Sequence, residues 1–263
     1  MSVPVTSRTA RGAWRDRLLS GTALLVYAFL YLPLIVVVLS SVNSGNVFTS
    51  FSLHGYRTLI TDDQLTESFR HSVEVTAFAV VIAVVAGTAA ALGFHRSRAP
   101  GKRLFSHAIT LPMVVPVVTG VALLTLFSDI HQERSLFTII IGHVTLCLAP
   151  VFFSVGARLL RTPSRLAEAA RDLGAGPFRA FWCVTLPSIR AAIGAGALLA
   201  AALSFGEAAV SVFLAGRDHT LPLEIWARAR RGTISLELDA AATVMIGISV
   251  LLAIAFHLTA REG

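Results

Sequence analysis

One carboxylate, Glu207, stands inside an otherwise apolar run from about residue 189 to 214. An ionisable group among apolar side chains is costly unless it faces a cavity or a partner. Its chemistry there is electrostatic: it can stabilise a cation such as an amine, pair with a residue of another subunit, or stay protonated inside a bundle. Tyr27, Tyr31, Phe213 and Trp226 offer aromatic faces to an amine, with interface anchoring or ordinary packing as the plainer account of each. His143 sits in a second apolar run and reads as an interhelical hydrogen-bonding group rather than a proton relay.

Residues for covalent or hydrolytic chemistry are missing from the pattern. Cys147 and Cys183 have no spacing that suits zinc, and neither a disulfide nor a metal site is expected. No Gly-x-x-x-x-Gly-Lys-Ser/Thr occurs; the single lysine, Lys102, follows Gly101 but precedes Arg103, and Arg96 stands where the first glycine belongs. The chain therefore lacks that device for cradling ATP phosphates. Neither His-Glu-x-x-His nor a nucleophile elbow is present, so no enzymatic activity is expected.

The elements around these residues are apolar helices. Of 263 residues, 55% are hydrophobic and 14% charged, whereas a soluble domain carries about a quarter charged residues. Six segments are long and apolar enough to cross a bilayer, about 18–42, 73–94, 108–128, 136–160, 189–214 and 240–259. They are continuously apolar rather than alternating, which argues against strands. The expected fold is all-α, an integral membrane six-helix bundle within one transmembrane domain, 18–259. Span one, longer than a signal-peptide core, reads as a retained anchor. Pro112, Pro116 and Gly120 in span three, and Gly142 and Pro150 in span four, predict kinks that serve either packing or a hinge.

Charge sets the orientation. With the tail 1–17 inside, fifteen Lys and Arg residues fall in inner segments and seven in outer ones, which places both this tail and the tail 260–263 in the cytosol. The cluster Arg228, Arg230 and Arg231 runs against this pattern at the last outer loop. The formal charge of +7 flanks the spans and forms no solvated stripe, so nucleic-acid binding is not expected.

Between spans four and five lies a patterned segment, 161–188. Thr162 suits an N-cap, Pro163 a first helical position and Gly174 a C′ residue with positive φ. Leu166, Ala169, Ala170 and Leu173 form one apolar stripe between them, and a second short helix is expected from Pro177 to about Val184. The pattern fits docking into a partner's groove, or an amphipathic helix on the bilayer surface.

The run Glu168-Ala169-Ala170, three residues, Gly174, nine residues, Val184-Thr185-Leu186-Pro187 resembles the EAA signature of ABC-type importer permeases, with Val184 where the signature has Ile. The resemblance implies a type I importer permease fold whose segment forms a cytosolic coupling helix. Glu168, Ala169, Ala170 and Gly174, followed by Leu186 and Pro187, would make the contact with an ATPase subunit. It further implies a second permease (a hetero-dimer), two ATPase subunits, an extracytoplasmic substrate-binding protein and a plasma (inner) membrane setting. No cofactor is expected on this chain, ATP and Mg being used by the partner subunits.

More loosely, Tyr31-Leu32-Pro33, Phe51-Ser52-Leu53-His54-Gly55-Tyr56, Leu111-Pro112 with Pro116, and Ser204-Phe205-Gly206-Glu207 followed by Thr220-Leu221-Pro222-Leu223 and Ile225 resemble the polyamine-type subfamily. That implies spermidine or putrescine as cargo, with Glu207 in the substrate path. Aminoethylphosphonate, thiamine, opine or ferric iron remain the alternatives, because the subfamily's familiar Asp-Asp is Gly206-Glu207 here. A self-sufficient secondary transporter or channel is the rival of another class, although no inverted repeat is visible.

Overall fold

The computed structural model describes residues 10–43, 51–97, 101–162, 169–170, 172, 174–232 and 235–261. Among them the chain is helical, and no strand forms. Helix α1 spans Ala10–Ser41, α2 His54–Thr61, α3 Asp63–Arg96, α4 Lys102–Val114, α5 Pro116–Asp129 and α6 Leu136–Arg161. There follow α7 Pro177–Ala180, a π turn Phe181–Thr185, α8 Leu186–Phe205, α9 Ser211–Leu214, α10 Leu221–Arg230 and α11 Leu236–Arg261.

Helices α3, α6 and α8 make the packed centre. Ala79, Ala83, Gly87 and Ala91 recur every fourth residue along α3 and are buried. Such a small-residue stripe lets backbones approach where lipid supplies no hydrophobic drive and van der Waals contact must hold the helices. A core of Ala83, Ala91, Val151, Phe152, Val155 and Ile189 fills one half of this contact. Val75, Ile139, Leu146, Val210 and Leu214 fill the other. Helix α1 packs chiefly on α11, and its apolar side chains face outward from Leu19 to Leu39, as a lipid-facing helix does.

Among the described residues five helices are long and apolar enough to span a membrane, and the pair α4–α5, bent by 97°, makes a sixth if its two helices form one broken span rather than a re-entrant loop. The segments 136–160 and 240–259 correspond closely to α6 and α11, and 18–42 to α1, whose helix starts eight residues earlier at Ala10. Three expectations are corrected. Span two is not confined to 73–94: α3 starts ten residues earlier, because Asp62 caps it by accepting from Leu65 N at 3.0 Å, and its polar first turns escape an apolar criterion. Span three is not one helix over 108–128. Pro116 has no N–H for the Pro112 carbonyl and bars its predecessor from helical geometry; Val115 accordingly lies at φ −131, ψ 69.

The third correction concerns both ends of span five. No separate helix stands at 177–184. The chain runs helically from Pro177 to Phe205 with the π turn inside, and Leu186 N bonds back to the Phe181 carbonyl. Pro187 supplies no donor to Cys183, and the widened turn takes up the loss. At the other end the helix stops at Phe205, nine residues before the expected 214, with Gly206 as its C-cap.

Candidate functional site

Two regions carry the residues singled out by type and spacing. The first is the 161–188 segment. Pro163–Glu168, Arg171 and Leu173 lie outside the described residues, so Glu168 has no structural account here. Ala169, Ala170 and Asp172 are helical. Gly174 has φ 85, and Ala175 N donates to the Ala170 carbonyl at 3.0 Å. A six-to-one bond across a left-handed glycine is a Schellman ending, so Gly174 is the C′ residue that its position predicts. Arg158 Nε donates to the Ser188 carbonyl at 3.0 Å, which clasps the neck of the segment where it leaves α6 and returns into α8. Leu186 is half-buried and Pro187 exposed beside that clasp.

The second region is the break after α8. Glu207 is not inside a helix, as expected, but in the non-helical stretch between α8 and α9. Gly206 ends the helix, and the Glu207 carboxylate folds forward so that Oε1 accepts from Val210 N at 3.0 Å. The side chain caps the next turn and is half-buried. No partner for its Oε2 occurs among the described residues, leaving that oxygen able to accept from a donor outside the chain.

Buried His143 on α6 faces this break. Its Nδ1 is 2.8 Å from Ser204 Oγ and its Nε2 2.9 Å from Ser211 Oγ, so it is the interhelical hydrogen-bonding group expected. The proposed aromatic set does not converge. Tyr27 and Tyr31 stack on each other on exposed α1, 6.2 Å between centroids. Trp226 carries the Arg230 guanidinium over its ring at 4.8 Å, and Phe213 packs against Gly120 of α5.

A charged network was not foreseen. Glu224 is fully buried and accepts from Arg228 Nε at 2.8 Å, with His219 Nδ1 at 2.7 Å from its other oxygen. Arg228 also grips Asp62 with two nitrogens. The Arg228 hydrogen bond holds the Asp62 carboxyl below its usual range. Burial pushes Glu224 upward, but hydrogen bonds and charge from Arg228 and His219 outweigh it and leave that carboxyl low as well. Arg231 stands 3.6 Å from Glu224. The arginine cluster that runs against the charge asymmetry is thus a set of partnered cations. The i,i+4 pair Glu224–Arg228 was the one signal available.

The family described as "Binding-protein-dependent transport system inner membrane component" matches residues 79–261. The chain belongs to that family. These inner membrane components are permease subunits of ATP-binding-cassette importers, as the Glu168–Pro187 resemblance implied. Among similar proteins is the spermidine/putrescine transport system permease protein PotC of Escherichia coli (strain K12), 32% identical over 242 residues, with 90% of this chain and 91% of that one covered. The putrescine transport system permease protein PotI of the same strain is 35% identical over 264 residues, covering 95% and 92%. Of solved structures, a bacterial ABC transporter involved in the import of the acidic polysaccharide alginate shares the permease fold, with a TM-score of 0.68 at 19% identity over 99% of each chain. The importer-permease fold expected from the signature is thereby shown. The relatives are transport subunits and not enzymes.

Proposed function

We propose that this permease carries a polyamine of the spermidine and putrescine class, and that Glu207 lies on the path of its ammonium groups. The observation that carries the reading is a carboxylate with a free oxygen in the unwound stretch after α8, in a chain that is 32–35% identical to polyamine permeases. Interrupted helices place polar backbone and side chains where a bundle lines a cavity. A carboxylate there replaces part of the hydration that an alkylammonium loses on entry.

In this reading the chain forms half of the pathway beside a second permease, and an extracytoplasmic binding protein delivers the cargo. Two ATPase subunits use ATP and Mg, while this chain holds no cofactor. Glu168, Ala169, Ala170 and Gly174 form the ATPase contact. The Arg158–Ser188 clasp passes its motion to α6 and α8, tilting the bundle between two states. Both termini lie in the cytosol.

The test is uptake by the assembled transporter in proteoliposomes, with labelled putrescine and spermidine against aminoethylphosphonate, thiamine, an opine and ferric iron. ATP-dependent uptake of the two amines, lost in Glu207→Gln, is the expected result. Preference for another cargo would sink the polyamine reading, and uptake without the ATPases would favour a secondary transporter.

A further inference from the structure

Ser204 is the penultimate residue of α8 and Ser211 the first of α9. Glu207 lies on the unwound chain between them. The His143 ring touches both serines, at 2.8 and 2.9 Å, so one buried side chain of α6 closes the gap across the break. The ring holds both serines in either tautomer: with Nε2–H donating to Ser211, the Ser211 hydroxyl donates to the Glu207 carbonyl, 3.4 Å away, and with Nδ1–H donating to Ser204, the Ser204 hydroxyl donates to Thr76 Oγ1 at 3.3 Å. The first ties the ring to the backbone of Glu207 itself, the second to α3.

The surrounding contacts make α6 the spine of this stretch. Thr138 Oγ1 donates to the Leu214 carbonyl at 2.8 Å, at the far end of α9. A Cβ on Gly142 would meet Leu214 Cδ1 and Val210 Cγ1 at 2.6 Å each, so a larger residue there would have to push both side chains of the stretch aside. Neutral polar groups buried at such a break are held by each other, because an unmet one is costly away from water.

We propose that His143 is a positioning residue for substrate: it fixes the unwound stretch so that the free Glu207 oxygen meets an ammonium group of the cargo. The inference rests on the reading of Glu207 as a substrate-path carboxylate. His143 touches no substrate. It acts by pinning both ends of the stretch, and the Val210 N–H then sets the carboxylate's direction.

The experiment uses the assembled transporter in proteoliposomes with labelled putrescine, reading putrescine carried per ATP hydrolysed. His143→Leu should lower that ratio about tenfold or more, since small misplacements of a positioned group have effects of that order. ATP hydrolysis stimulated by the loaded binding protein should stay near wild type. The Ser204→Ala/Ser211→Ala pair should reproduce the loss with His143 in place, which decides the matter if His143→Leu fails to assemble. Adding Glu207→Gln to either should cost nothing more, as residues acting through one another are non-additive. An unchanged ratio, a parallel fall in ATP hydrolysis, or losses that multiply would each overturn the assignment. Unchanged transport in Glu207→Gln alone marks failure of the carboxylate reading. A loss there with normal ratios in the His143 and serine variants marks failure of the brace alone.

Discussion

Arg228 holds Asp62 through two hydrogen bonds, Nη1 to Oδ2 at 2.7 Å and Nη2 to Oδ1 at 3.1 Å. The carboxylate it grips is the N-cap of α3, and the same guanidinium reaches Glu224 through Nε. One side chain therefore joins the start of the central helix to α10, 166 residues away in sequence.

Removing that side chain leaves buried Glu224 with only His219 at 2.7 Å and the more distant Arg231 at 3.6 Å. Losing one partner of a buried pair costs about 3–5 kcal/mol, because the remaining charge stays desolvated. Because Glu224 keeps these two partners and Asp62 is partly exposed, Arg228→Leu is expected near the lower bound. Arg228→Lys recovers only part, since an ammonium does not grip two carboxylates in the same plane. Thermal unfolding of the purified protein in detergent measures both, and a wild-type midpoint for Arg228→Leu would refute the network's structural role.

The same network makes stability depend on pH. Asp62 and Glu224 are both held below the ordinary carboxylate values of 3.8 and 4.5. A depressed carboxyl contributes stability that is fully present above its unfolded value and is lost as pH falls through its folded one. The unfolding midpoint should therefore stay level from the pH 4.5 reference upward as far as these two groups govern it, and drop below it. In Arg228→Leu the acid-side drop should shrink. An equal drop in both proteins would place the acid sensitivity elsewhere.

How far such relationships were legible depends on their range along the chain. Helix α6 was read almost to the residue because its run from Leu136 is unbroken and its end meets Arg158 and Arg161. Gly174 was legible because a helix ending is local chemistry. The break at Gly206 was not: Ala208, Ala209 and Val210 keep the stretch apolar on average, and its geometry is set by His143, 61 residues away from Ser204. Asp62 and Arg228 lie farther apart still, and nothing in either neighbourhood names the other. Of the site residues, Glu207 was picked by its charge in an apolar run, a signal that mistook an unwound turn for helix.

Gly174 offers a local test of the coupling segment. A side chain at φ 85 costs about 1–2 kcal/mol, enough to unseat a short helix without touching the spans. Gly174→Val, like Glu168→Lys, should insert normally and lose co-purification with the ATPase subunits. Undiminished co-purification by both would remove the segment from the ATPase contact.

The orientation is open to a chemical test, because the chain holds two cysteines of opposite exposure. Cys147 is buried in α6 and Cys183 is exposed on the π turn. A membrane-impermeant maleimide needs an accessible thiolate, so only Cys183 should react in the folded protein. The proposed orientation, with both termini in the cytosol, puts the π turn at the inner end of span five. Labelling should then occur in inverted vesicles and fail in right-side-out ones, and Cys183→Ser should abolish it. Reaction in right-side-out vesicles would reverse the topology, moving the 161–188 segment to the side without ATPases and taking the coupling assignment with it.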